Sequence, residues 1–266
     1  CWGMRRMLKS VLLGAALSSW LSVAVAADTR PLQDPTADPL MMSAGFLAAH
    51  PDLQNRMRGL EAYEAGRFEE ALKYYRRAAY YADKASQAMV AEMLWKGEGV
   101  ARDPALAYAW MDLAAERGYR GFLRFREQYW QALDGSDRER ALDEGRAIYA
   151  RYGDAAAKPR IAAVLRRGLS QTTGSRLGSV GALKITVPGP GGVPLTIDGS
   201  KYYDPRYWDP KQYAEWHDRV WMNPRVGRVD VGDTETLRGA APRIPKIAPE
   251  VDAPEPDIPD AVDSPR

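Results

Sequence analysis

Seven residues, Gly97-Glu98-Gly99-Val100-Ala101-Arg102-Asp103, constrain the fold of this 266-residue chain more than any others. Before them, Ala88, Ala91, Met93, Leu94 and Trp95 recur at near-helical spacing and predict one apolar helix face. Gly97 and Gly99 end that helix, because glycine takes the left-handed conformation without a Cβ penalty. Asp103 is a strong N-cap and Pro104 suits the first helical position, so a second helix starts at once. Ala107, Trp110, Met111, Ala114 and Ala115 form its face, and Gly118 ends it. Small alanines let the two helices approach closely, and Trp110 supplies bulk between them.

An upstream segment repeats this order. Gly59, Tyr63, Gly66, Phe68, Ala71, Tyr75, Ala78 and Ala79 precede it, with Ala71 36 positions before Ala107 and Ala78-Ala79 36 before Ala114-Ala115. A fixed offset of this size is what repeated helical pairs produce. The Gly-x-Gly-Val-x-x-Asp turn, Ala107, Trp110 and the Ala114-Ala115-x-x-Gly118 ending resemble a Sel1-like repeat. The upstream copy lacks that turn and is similar to the plain tetratricopeptide form. The resemblance covers well under half of the chain. It implies antiparallel helix pairs stacked as a short solenoid, a protein or peptide partner, and no catalysis. It also implies that the first helix of each pair lines the concave side, which points to Arg56, Glu92 and Lys96 as contacts. Reversing these three charges is expected to abolish partner capture without changing the melting temperature.

The expected fold class is mainly α, with a small C-terminal α/β appendage and a disordered tail. Residues 52–170 read as the helical domain, with further helices at Tyr119–Leu133, Asp137–Tyr152 and Ala156–Leu169. Ala141, Gly145, Ile148 and Tyr152 mark the buried face of the middle one. Residues 28–51 read as a linker holding one helical turn. Within 171–236, a Gly/Ser/Thr-rich loop precedes strands at Leu183–Val187 and Val193–Ile197, and a third strand is expected at Val226–Val231. Asp209-Pro210 begins a helix that runs to Met222. Residues 237–266 interleave prolines with Glu250, Asp252, Glu255, Asp257, Asp260 and Asp263, a composition that cannot bury enough apolar surface to fold.

Arg5, Arg6 and Lys9 precede an apolar run from Val11 that ends in Ala24-Val25-Ala26, the pattern of a secretory signal peptide over residues 1–27. Met4 reads as the natural start, behind an extension of three residues. The run is short beside the ~20 apolar residues of a membrane-spanning helix, although an uncleaved anchor is the alternative. A periplasmic or secreted location is expected, without a stable span after cleavage. Taking the three targeting cations from 37 basic residues leaves 34 against 35 acidic ones, so the mature chain is near neutral and offers no nucleic-acid footprint. Cys1 is the single cysteine, which leaves the mature chain without a disulfide or thiol nucleophile.

The sequence gives little sign of chemistry. His50 and His217 are the two histidines, far apart in the chain, and a zinc site needs three or four ligands. No metal or cofactor is expected. Asp218 adjoins His217, but neighbouring helix positions point in different directions, so Asp218 cannot orient that ring. The glycine-rich stretch from Gly174 to Gly181 lacks the Gly-Lys-Ser/Thr ending of a phosphate-binding loop. The segment 202–221 crowds aromatic residues together. Tyr213, Trp216, Val220 and Trp221 share one helical face and read as packing, whereas Tyr203, Tyr207 and Trp208 fall outside it. These three suit a sugar-stacking surface. The sequence therefore supports two readings: a non-catalytic interaction scaffold of the bacterial envelope, or a cell-wall glycan-binding protein.

Overall fold

The computed structural model describes residues 43–170, 184–188 and 194–222. The signal peptide, most of the linker, the Gly/Ser/Thr-rich loop, the third strand and the acidic tail lie outside the described residues. What is described is mostly helical, with one pair of strands. No described helix is long and apolar enough to cross a membrane.

Helices α1 (Ala44–Ala48), α2 (Pro51–Glu64), α3 (Phe68–Tyr80), α4 (Lys84–Lys96) and α5 (Pro104–Ala114) follow in order. α2 packs along α3, and α4 along α5. α4 ends where Gly97 turns to φ 79°, and Asp103 Oδ1 caps α5 by accepting from Leu106 N at 3.0 Å. Gly99, at φ 68°, has no room for a side chain, since an added Cβ would sit 2.6 Å from Glu69 N. The glycine turn thus touches the start of α3, so it joins the two helical pairs as well as ending a helix. A short 3-10 turn, Ala115–Arg117, leads to Gly118 at φ 78°.

α6 (Arg120–Ala132), α7 (Gly135–Tyr152) and α8 (Asp154–Ser170) complete the larger helical part. α7 lays Ala141, Gly145, Ile148 and Tyr152 against α5, where Trp110 meets Tyr152 with ring centroids 4.7 Å apart. A buried polar cluster joins α4, α5 and α8. Lys84 Nζ donates to Glu116 Oε2 at 2.8 Å and to the Leu113 carbonyl at 3.1 Å, and it lies 3.2 Å from Asp154 Oδ1. Arg117 donates to both oxygens of Asp154, at 2.7 and 2.9 Å. Burial works to raise the Asp154 carboxyl, but Lys84 and then Arg117 outweigh it and hold the group well below the usual carboxylate range.

Strands β1 (Lys184–Pro188) and β2 (Pro194–Asp198) pair antiparallel, with Ile185 opposite Ile197. Two short helices, α9 (Gly199–Tyr202) and α10 (Pro205–Trp208), lead to α11 (Pro210–Met222), which begins where Asp209 Oδ1 accepts from Gln212 N at 2.9 Å.

These C-terminal elements are not an appendage. Tyr213 and Trp216 of α11 pack on Ile161 and Leu165 of α8. Ile197, Tyr202 and Trp208 pack on Phe46 and Leu53. The end of the expected linker is likewise core, because Phe46 and His50 are fully buried. Large aromatic surfaces drive this closure, since each such side chain buries 150–250 Å² on leaving water, roughly speaking.

Candidate functional site

A groove of about 600 Å³ opens between α2, α4 and α6, and the end of α11 closes one side of it. Arg56, Glu92 and Lys96 all line it. α4 supplies its wall because Ala85, Ala88, Met89, Glu92 and Lys96 recur at helical spacing. Trp95 stacks on Tyr129 of α6, with centroids 4.2 Å apart and planes at 8°. Burial pushes the Tyr129 hydroxyl up to about 12. Trp221 reaches Phe122 at 5.7 Å.

The three expected contacts differ in kind. Glu92 Oε1 and Lys96 Nζ pair at 2.5 Å across one turn, both half-exposed. The hydrogen bond to Glu92 raises the Lys96 ammonium above its ordinary range, so the group stays charged. Arg56 is instead part of the framework. Its Nη1 donates to Asp83 Oδ1 at 3.2 Å, and Asp83 also caps α4 by accepting from Ser86 N at 3.0 Å. Arg56 thus contacts the residue that caps α4, unlike Glu92 and Lys96, which pair with each other.

Leu60 and Phe125, on two different walls, are about half exposed despite their size. Neither was singled out in the sequence. The available signal was an apolar residue on the otherwise polar side of its helix, since Phe125 stands apart from the buried positions Leu123, Arg126 and Tyr129 of α6. Apolar surface left exposed in a concave wall marks an interaction site more often than scattered apolar residues do.

Tyr203, Tyr207 and Trp208 do not form an open platform. Trp208 is 4% exposed, and its Nε1 donates to the Tyr202 carbonyl at 2.6 Å. Tyr207 is half-buried against Phe46 and Trp216. Tyr203 and Trp208 border a smaller cavity of about 330 Å³ with Arg167. The six candidates thus fall into two places, with the three charged ones in the groove and the three aromatic ones around the α1 contact.

The two histidines, distant in sequence, meet around Tyr213. His50 lies 5.5 Å and His217 4.5 Å from that ring, centroid to centroid. Tyr213 donates to Asp52 Oδ2 at 2.6 Å, while His217 Nε2 stays 4.0 Å from the same oxygen, too far for a hydrogen bond. Burial pushes the Asp52 carboxyl up to about 7, with the Asp83 charge adding to the shift and the Tyr213 hydroxyl opposing it. Burial, then the charges of Arg56 and Arg117, hold His217 well below its ordinary value, so its ring is neutral. His50 Nδ1 and Nε2 lie 2.7 and 2.8 Å from the carbonyls of Phe46 and Tyr207. Burial favours a neutral His50 ring, which has one N–H for these two acceptors. Asp218 points elsewhere, accepting from the Tyr119 hydroxyl at 2.5 Å. No group of three or more potential metal ligands occurs among the described residues.

The chain matches no protein-family model, and neither a curated protein nor a solved structure proved similar to it. The likeness to Sel1-like repeats accordingly stands on the residues quoted for it.

Proposed function

We propose that this chain is an exported, non-catalytic scaffold of Sel1-like helical pairs, stacked as a short solenoid, that holds an amphipathic segment of a partner protein in the α2–α4–α6 groove. The observation that carries this reading is the groove itself, where half-exposed Leu60 and Phe125 border one concavity with the Glu92–Lys96 pair. α2 and α4 are the first helices of their pairs, and the family resemblance assigns the concave side to first helices. α6 and α7 continue the stack and cover its open end, because a terminal repeat needs its apolar face covered.

The charges describe the partner. Glu92 is neutralised by Lys96, and Arg56 by Asp83, so the groove selects no strong net charge. Its occupant is an amphipathic helix whose apolar residues recur every three or four positions, the spacing that fills such grooves. Export rests on the basic and apolar N-terminal pattern ending at Ala26, and places the partner in the bacterial envelope.

The test is site-directed photo-crosslinking from position 125 in envelope extract, with the cross-linked partner peptide sequenced and then synthesised. The synthetic peptide should bind the protein and change the Trp95 and Trp221 fluorescence. Leu60→Asp and Phe125→Asp should each weaken it roughly tenfold or more, as loss of an interface anchor does, with the melting temperature unchanged. Cross-links to polar, extended segments, or undiminished binding by both variants, would reject the groove. Retention on purified sacculi free of protein would instead support the glycan reading.

A further inference from the structure

A second cavity, of about 560 Å³, lies between α2, α8 and α11 and is independent of the groove. Asp52 and His217 line it, and Asp52 Oδ1 and His217 Nε2 are buried polar atoms with no hydrogen-bond partner. A buried polar atom left unpaired costs about 1–3 kcal/mol, so two of them beside one cavity are an unusual pairing. The walls are largely apolar, with Ile161, Ala162, Pro159 and Ala214 among them. Arg166 and Lys211 stand at the rim. Arg166 is exposed and has no ion-pair partner among the described residues, while Lys211 only approaches Glu215, at 4.0 Å.

We propose that this cavity binds a small amphipathic hydroxy acid, with its hydroxyl at Asp52 and His217, its apolar body against Ile161 and Ala162, and its carboxylate at Arg166 and Lys211.

Each part of the ligand follows from one part of the cavity. A hydroxyl is donor and acceptor at once, so one group donates to Asp52 Oδ1 while accepting from the His217 ring. A purely apolar ligand would leave both atoms unpaired. An inorganic anion would gain nothing from the apolar walls and would place its charge against an acidic floor. An amine in place of the carboxylate would meet the like charges of Arg166 and Lys211. The volume suits a ligand of this size, since small-molecule sites span roughly 300–1,000 Å³.

Calorimetry and histidine nitrogen NMR on the whole protein test the assignment with three probes: para-hydroxyphenylacetate, phenylacetate and tyramine. The hydroxy acid should bind at least about tenfold more tightly than phenylacetate and should shift the His217 Nε2 resonance, because a site built around a hydroxyl rejects the analogue that lacks it. Arg166→Gln should weaken the hydroxy acid several-fold with no change in melting temperature, since this side chain is exposed. Asp52→Asn should remove the preference for the hydroxyl, and the Arg166 variant keeps the test decisive if Asp52→Asn fails to fold. Equal affinity for the two acids, tighter binding of tyramine, or no heat and no histidine shift with any probe would overturn the proposal.

Discussion

Gly59 lies flat against the ring of Tyr75, so that a Cβ on Gly59 would stand 2.7 Å from Cε1 and 2.8 Å from Cδ1. Both residues are buried, and Tyr75 is 1% exposed, so its ring has nowhere to move. Two effects compete in Gly59→Ala. Helix propensity favours alanine by about 1 kcal/mol, whereas overpacking a core costs about 1–3 kcal/mol. The clash involves the ring close to its attachment, so overpacking wins. Chemical denaturation should show a net loss of roughly 1–2 kcal/mol. A more stable alanine variant would mean that α2 and α3 are not packed this closely.

Trp110 is 4% exposed and rests on Tyr152. Trp110→Ala should lower stability by about 3–5 kcal/mol, the range for deleting a large buried aromatic side chain. Thermal melting followed by circular dichroism measures it, and a shift of less than about 1 kcal/mol would contradict the packing of α5 on α7.

Arg56 and Lys96 line one groove yet should respond differently to reversal. Arg56→Glu places a carboxylate beside Asp83 and breaks a part-buried pair at the cap of α4, so a loss of about 2–4 kcal/mol is expected. Lys96→Glu acts on an exposed pair and should change stability by less than about 1 kcal/mol. Equal losses in parallel denaturant titrations would reassign one of them.

Asp52 should make stability fall as pH rises. Its carboxyl titrates near 7 when folded and near 3.8 otherwise, so the folded chain holds the proton over that window. Below it both states are protonated and Asp52 contributes nothing. Through it, ionising the buried group costs an increasing amount, up to roughly 4 kcal/mol by linkage. Tyr213, His217, Arg56, Asp83 and the nearby His50 ring surround the group. The histidines act the other way: their lowered values cost stability as pH falls below about 6.5. Asp52→Asn isolates the carboxyl. The difference between wild type and variant should grow in the variant's favour from pH 4 to pH 8, as read by denaturant midpoints. A difference independent of pH would show that Asp52 ionises freely in the folded chain.

Local features were legible in the sequence because they depend on neighbours in the chain. The left-handed turn at Gly97 follows from glycine's missing Cβ, and the caps at Asp103 and Asp209 follow from a short carboxylate reaching amides two or three residues on. The buried stripe of α7 and the strand pair followed from periods of 3.6 and 2. Glu92 and Lys96 were expected on a concave wall through the resemblance to Sel1-like repeats, and both line the groove. Which faces meet was a different matter. Periodicity identifies an apolar side but not its partner, so Trp208 read as a platform until Phe46 covered it. The hydrogen bond from Tyr213 to Asp52 spans 161 residues, and no spacing rule connects them. Burial there raises one acid and keeps two histidines neutral, and burial is a property of the assembled core alone. Leu60, Phe125 and Trp221 became a groove for the same reason, since three separate helices supply them and only their packing makes the surface concave.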